Sequence, residues 1–512
     1  IDALMAERTI SYCVEDQNLP DMVQRHGQVC TEIAEQTLQK LQPNSTGIVP
    51  ENLTGLYRIK DSLETAISQR CSEYESRLAS SKTTVEQVTS AIPEGAVLWD
   101  IVAFSPWNFQ PTNHRNSYHP RKYIGFVVSA GNLIQIVELG DAALIDSLIA
   151  EIRVNLANAS TTISVQGEQT AEDTLSVLTA QLYSTIFEPL RAACSGVSRI
   201  FVSPDRNLNL IPFEILMQPS GRYVTEDFEI SYLSSSRDLL KTRPIKPETA
   251  NSAVLVISPD FDAMPARDSS PQLAQILSEP TVSVTRGLSE NAECLAVPFD
   301  PLPAALDEGV AISGLLQRSG EFRLLQFIGA EASEDALKNL TFPPTVLHLT
   351  SHGFSCPQTN ASPEKPEASP LLYSGLALAG ANRAIYGEEV TGEDGILTAF
   401  EASALNLIGT ELVVLSACRS GTGTIWSREG VFGLRRAFRH AGARCLIMSL
   451  FDIDDETTAT LMRQFYNFWL SGGSVSSALR RARLSLITER RRSAGAAHPI
   501  YWGGFVLAGN PN

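Results

Sequence analysis

Cysteine is scarce in this 512-residue chain. There are eight, Cys13, Cys30, Cys71, Cys194, Cys294, Cys356, Cys418 and Cys445, and no two form a CxxC pair. That density is far below a disulfide scaffold, and without the pairs the usual zinc and thioredoxin readings lose their support. A reducing, cytoplasmic setting is the expectation. No run approaches the roughly 18 consecutive apolar residues of a membrane helix. The first residues, IDALMAERTISYC, carry acids early and have no apolar core, so they do not read as a signal peptide. They also lack an initial Met, which leaves open a fragment, a processed form or a renumbered chain. Without a secretion signal, the sequons at Asn44 and Asn52 read as chance. Basic residues are outnumbered, 40 Lys plus Arg against 57 Asp plus Glu, for a net charge of −17. A duplex-binding protein needs a basic footprint, so direct contact with nucleic acid is not expected. Serine-hydrolase and P-loop readings lack their motifs, GxSxG and GxxxxGK[ST].

What remains is ordinary globular material, 43% apolar and 19% charged, able to bury sizeable cores. At about 150 residues per domain the length suggests roughly three domains. Residues 1–93 read as a helical spacer or the end of a helical array. Leu56, Ile59, Leu63, Ile67, Tyr74 and Leu78 recur at helical spacing on one face, and Pro43 to Pro50 breaks the region into pieces. No 34-residue tetratricopeptide repeat is recognisable. After Pro93-Glu94-Gly95 the pattern turns to strands at Ala96–Phe104, Lys122–Ser129 and Leu133–Leu139. Asp141 caps a helix to about Leu156, a second helix covers about Asp173–Ala193, and a buried strand follows at Arg199–Val202.

A linker over residues 242–251 separates this stretch, 94–248, from a second one, 249–512. There, short apolar runs at Val254–Ser258, Val346–Thr350, Leu412–Leu415 and Cys445–Ser449 suit a parallel sheet buried on both faces. Helices are expected near Ser333–Asn339, Val431–His440, Asp455–Leu470 and Ser474–Glu489. The polar, Pro-rich stretch Cys356–Pro370 reads as a surface loop.

In open α/β sheets, sites form at the carboxyl ends of strands. Two such ends carry reactive side chains: VLHLTSHG ends in His352-Gly353, and LVVLSAC ends in Cys418. A His at one strand end can take the proton from a Cys at the next, leaving a thiolate nucleophile. The amides of Gly353 and Cys418 are the candidate oxyanion donors. Read without context, the same residues also fit a structural histidine and a small buried thiol. His348 and His352 do not pair as metal ligands, because four residues along a strand span about 13 Å. His348 instead reads as a strand histidine supporting the site. The Arg-rich stretch Arg480, Arg481, Arg483 and Arg490 to Arg492 reads as a solvated helix face. Gly503 and Gly504 suggest close backbone packing.

HLTSHG, LVVLSACRSGTG, EGVFGLRRAFRHAGARCLIMSLFDIDDETTATLM and HPIYWGGFVLAGNP, in that order, strongly resemble the CHAT domain. This is a caspase-like peptidase domain, related to separase and often found beside tetratricopeptide repeats. RIFVSPDRNLNLIPFEIL, YVTEDFEISYLSSSRDLL and FVVSAGNLIQIVELGD extend the resemblance upstream, to about residue 94. It implies an α/β, caspase-like fold: a parallel-rich sheet flanked by helices, with a pseudo-protease half at 94–248 and the active half at 249–512. It implies a cysteine endopeptidase in which Cys418 is the nucleophile, His352 its partner and Gly353 an oxyanion donor, with no metal or organic cofactor. Separase-like relatives receive a basic P1 side chain on acids after the next strand. Here those are Asp452, Asp454 and Asp455; Asp455, together with Glu456, also suits a helix start. The expected partners are a protein substrate and an activating protein or upstream helical module, in a signalling, defence or cell-death pathway. The alternative is a catalytically silent caspase-like scaffold that binds a partner protein.

Overall fold

The computed structural model describes residues 83–511 apart from 110–117, 132, 195, 241–250, 265–297, 356–370, 372–373, 389–391, 417–424, 427–429, 432, 452 and 454. Before residue 83 it describes one helix and scattered positions between 22 and 33. The expected linker up to residue 250 and the Pro-rich loop therefore lie outside the described residues, as do Tyr74 and Leu78.

Helix α1, Glu51–Arg70, takes up part of the expected helical lead. Leu56 is buried against Val29 and Ile33, and Leu63 packs beside them. Ile59 departs from the expected apolar face and is 43% exposed. A six-residue helix α2, Val85–Ser90, follows, closed at its start by a capping box between Thr84 and Gln87.

The centre of the molecule is one eleven-stranded sheet. Its first strands are β1 (Ala96–Phe104), β2 (Lys122–Ser129) and β3 (Leu133–Asp141), an antiparallel run. Asp141 caps helix α3, Ala142–Ala157, accepting from the Ala143 and Leu144 amides. That helix buries Ile145, Leu148, Ile149, Ile152 and Leu156, the stripe its spacing requires. Helix α4 runs from Glu168 to Leu182, earlier than expected, and continues through a π turn, Tyr183–Phe187, into a short helix, Glu188–Ala192. Strands β4 (Arg199–Ser203) and β5 (Glu229–Tyr232) then add in parallel beside β1.

The second stretch supplies β6 (Ser252–Pro259), helix α5 (Pro303–Ser319), β7 (Arg323–Gly329), helix α6 (Glu334–Lys338) and β8 (Val346–Thr350). A small three-stranded sheet of β9 (Gly353–Ser355), β10 (Ser374–Ala377) and β11 (Ile396–Thr398) surrounds helix α7, Ala381–Tyr386, in sequence. The large sheet resumes with β12 (Leu412–Ser416). After a two-stranded hairpin of β13 (Ile425–Trp426) and β14 (Gly430–Val431) come helix α8 (Leu434–His440) and β15 (Cys445–Ser449). The expected helix from Val431 thus begins three residues later, because Gly430–Val431 pairs as a strand. Helices α9 (Asp455–Leu470) and α10 (Val475–Ala494) and strand β16 (Phe505–Gly509) complete the chain.

The spatial order is β3-β2-β1-β4-β5-β16-β15-β12-β8-β6-β7. Most neighbours are parallel, and the run from β12 to β6 is the buried parallel core that its apolar sequences require. The last strand joins the two stretches, since β16 lies between β5 and β15. Gly503 and Gly504 sit just before it. A Cβ at Gly503 would lie 2.5 Å from the Ile215 side chain, and one at Gly504 2.2 Å from Ile453. The close packing expected of them is present.

The Arg-rich helix α10 is solvated only in part: Arg481, Arg491 and Arg492 are exposed, Arg480 and Arg490 are half-buried, and Arg483 is buried. Arg483 and Glu214 form a pair 3.1 Å apart with both side chains buried. Arg480 donates to the Thr225 and Glu226 carbonyls, Arg491 pairs with Glu226 at 2.8 Å, and Arg490 pairs with Glu168. Arg481 lies over the Phe468 ring. Arg480, Arg483, Arg490 and Arg491 carry the polar contact between α10 and residues 168–226. No periodicity in the helix reports such partners, because they lie more than 250 residues away in sequence.

Candidate active site

His352 stands two residues beyond the carboxyl end of β8. Its Nε2 lies 2.8 Å from the backbone oxygen of Asp300. A carbonyl can only accept, so Nε2 carries a proton, and in the neutral ring the lone pair lies on Nδ1. The imidazole stacks on Phe299, with centroids 5.5 Å apart and planes at 24°, and tilts against Phe261 at 5.3 Å. The ring is half-buried, so one side remains accessible.

Strands β8 and β12 are parallel neighbours, with Thr350 opposite Ser416. The ladder continues one step beyond β8, where the Ser351 amide donates to the Ser416 carbonyl at 3.2 Å. Gly353 opens β9 and pairs with Leu376 of β10, while the His352 carbonyl accepts from the Ala377 amide. Cys418 lies outside the described residues, as do Asp452 and Asp454. Asp455 begins α9, and Glu456 follows it, exposed.

Beneath the strand ends runs a buried polar chain. Ser416 Oγ donates to Glu308 Oε2 at 2.9 Å, and Glu308 Oε1 lies 3.1 Å from His348 Nε2. His348 Nδ1 is 3.2 Å from the Tyr466 hydroxyl. Burial, with the nearby Glu308 charge, pushes the Tyr466 hydroxyl well above its ordinary range. It therefore stays protonated, and as a neutral hydroxyl it can donate to His348 Nδ1 or accept from it. His348 is fully buried in β8 and reaches Ser416 through Glu308.

A second carboxylate group lies nearby in sequence. Glu334, Glu393 and Glu401 bring ligand oxygens within 4.8 Å of one another, as a cation site would. Lys338 Nζ sits among them at 2.7, 2.8 and 3.0 Å. Burial pushes the Glu334 carboxyl well up, the neighbouring Glu401 adds to this, and Lys338 opposes it. The lysine ammonium supplies the positive charge these acids need.

Sequence reasoning missed Phe261, Phe299, Asp300, Glu308, Ser416 and Tyr466. One signal for Glu308 was available. Ala305, Glu308, Gly309, Ile312 and Leu316 share the buried stripe of α5, and an acid on such a stripe must have a partner. Asp300 acts through its backbone, which leaves no trace in residue type.

Comparisons with known proteins find relatives in sequence and in solved structures. The human tetratricopeptide repeat protein 28 is 24% identical over 318 residues, which is 59% of this chain and 12% of that protein. Its Mus musculus counterpart is 31% identical over 115 residues, 22% of this chain and 4% of that protein. The chain thus spans a small part of these relatives. Among solved structures, the separase–securin complex of Saccharomyces cerevisiae aligns with a TM-score of 0.44 at 10% identity, over 94% of this chain and 36% of that one. The Arg-specific cysteine proteinase gingipain R aligns with a TM-score of 0.37 at 12% identity, over 71% and 75%. Residues 177–510 match the model of the CHAT domain, and since they make up more than half of the chain, this chain belongs to the CHAT domain family.

Proposed function

We propose that the chain is a cysteine endopeptidase in which Cys418 attacks the scissile carbonyl of a protein substrate and His352 handles the proton. The observation that carries this reading is the state of His352. Asp300 occupies Nε2–H, leaving Nδ1 as the basic nitrogen, and the ring is held between two aromatics on an accessible strand end. Register supports the partner. Thr350 and Ser416 are opposed on adjacent parallel strands, and His352 and Cys418 each follow two residues later in sequence.

In this mechanism Nδ1 takes the thiol proton, and the thiolate adds to the carbonyl carbon. The amides of Gly353 and Cys418 receive the oxyanion. Collapse of the intermediate breaks the C–N bond as Nδ1–H protonates the leaving amine. Water, activated by the same nitrogen, then hydrolyses the acyl-enzyme and restores the thiol. Asp452, Asp454 and Asp455 are proposed to receive an Arg or Lys side chain at P1, through charge-assisted hydrogen bonds. The division into a helical lead at 1–93, a pseudo-protease half at 94–248 and an active half at 249–512 belongs to the same reading. So does activation by a partner or an upstream helical module in a cytoplasmic signalling, defence or cell-death pathway. Among the described residues no helix is long and apolar enough to cross a membrane.

The test is cleavage of a P1-scanning peptide library by wild type, Cys418→Ala and His352→Ala. Cleavage after Arg or Lys by wild type alone is the expected result, with Asp452→Ala and Asp455→Ala losing more on Arg than on neutral substrates. Equal cleavage by all three proteins would overturn the dyad. A preference for Asp at P1 would overturn the acidic pocket.

A further inference from the structure

The nitrogen that His352 presents is decided by a carbonyl, and that carbonyl is held by one buried side chain. Asn382, the second residue of α7, is 2% exposed. Its Oδ1 accepts from the Phe299 amide at 2.7 Å, and its Nδ2 donates to the Phe299 carbonyl at 3.0 Å. Nδ2 also donates to Asp262 Oδ1 at 3.0 Å. One amide thus pairs with both backbone groups of Phe299, as a neighbouring strand would, and fixes the peptide that leads into Asp300.

The backbone of the same turn holds the opposite wall. The Asn382 amide donates to the Phe261 carbonyl at 2.9 Å, and the Gly380 amide to that of Asp260 at 3.0 Å. Phe261 and Phe299 are the two rings that contact His352. The start of α7 therefore fastens both aromatic walls and, through Phe299, the acceptor for Nε2–H.

We propose that Asn382 is the positioning residue for His352: by clamping Phe299 it holds the Asp300 carbonyl on Nε2 and so keeps Nδ1 available to the thiol. Asn382 touches neither substrate nor thiol in this scheme. The inference rests on the reading of His352 as the catalytic base, but its geometric part stands without activity. Only an amide supplies the pattern. A carboxylate at 382 would still accept from the Phe299 amide, but it would oppose the Phe299 carbonyl and the Asp262 carboxylate.

The test uses the full chain with histidine-selective 13C/15N labelling, His352 being assigned by loss of its signals in His352→Gln. In wild type the His352 ring is expected as the Nε2–H tautomer. In Asn382→Asp it is expected as a mixture of tautomers with a moved titration midpoint. For the same variant kcat on the best library peptide is expected to fall roughly 10- to 100-fold, with KM within about twofold, as a misplaced but intact base would give. Asp262→Ala removes only the outer leg of the clamp and is expected to stay within about threefold of wild type in kcat. If folded Asn382→Asp keeps the wild-type tautomer and midpoint, the proposal is overturned. If that variant does not fold, Asn382→Ser, which opposes no carboxylate to Asp262, is read in the same way. If wild type cleaves no peptide, the endopeptidase reading fails, while the His352 spectra still decide the role of Asn382.

Discussion

The carboxyl ends of β4 and β8 belong to one sheet and carry comparable polar residues, yet they are finished differently. After β4, Asp205 turns both oxygens on backbone: Oδ2 accepts from the Ala103 amide and Oδ1 from the Arg206 amide. Arg206 follows with φ of +52°, in the region that favours glycine. Nearby, Ser203 and Ser236 hydrogen-bond Asp100, whose carboxyl burial pushes up. After β8, a half-buried imidazole has one nitrogen bound to a carbonyl and the other left with its lone pair. A strand end whose polar groups are consumed by its own backbone is a structural corner. At the β8 end the second imidazole nitrogen has no partner among the described residues, and the proposed proton transfer uses it.

The comparison breaks first at His352. His352→Ala is expected to lower kcat by roughly 10²–10⁴-fold, the usual share of a general base. Because the ring is half-buried, unfolding free energy should change far less than activity does. A variant that lost stability and activity together would make the β8 end another structural corner.

The next test concerns the seam that joins the two parts of the sheet. Arg483→Met leaves Glu214 buried without its cation and is expected to cost about 3–5 kcal/mol in urea unfolding. Pairing it with Glu214→Leu should return much of that loss. An unchanged midpoint for the single variant would show that the seam does not depend on this pair.

A third test lies where α10 turns into β16. His498 is fully buried, its Nδ1 accepts from the Ile500 amide at 3.1 Å, and burial pushes its imidazole down to about 4. Its ordinary value is 6.5. Between these values the unfolded chain binds a proton that the folded one refuses. Stability is therefore complete above about pH 6.5 and is lost as pH falls towards about 4, by up to about 1.4 kcal/mol per pH unit. Urea unfolding across that window measures the slope, and His498→Gln should remove this part of it.

The smallest effect is expected at the closed corner. Asp205→Ala leaves the Ala103 and Arg206 amides without their acceptors and should cost about 1–3 kcal/mol of stability. Its kcat should match wild type, the reverse of the His352 result. A drop in kcat with unchanged stability would give the β4 end a part in the reaction.

Much of the fold was legible in the sequence because burial on two faces writes itself as uninterrupted apolar runs. Val346–Thr350 and Cys445–Ser449 match their expected bounds, and Asp141 caps α3 as its side chain type requires. Strand β7 was missed because it lies at the sheet edge, with Leu325 and Ile328 over a third exposed. Helix α10 was found as a helix, and its solvated face holds for Arg481, Arg491 and Arg492 but not for Arg483, since charge alone does not say whether a partner waits across the fold. At the candidate site, His352 was visible as a residue type at a strand end. Its acceptor was not, because a backbone oxygen has no letter in the sequence.

The sequence by itself determined the parallel-rich α/β architecture and the strand ends at which reactive residues lie, because periodicity and strand composition are local. Only the tertiary structure decided which nitrogen of His352 bears the proton, that Glu308 joins Ser416 to His348, and that Asn382 holds the wall behind the imidazole. Those contacts join residues 40 to 108 positions apart, and distance in space is what the linear chain does not state.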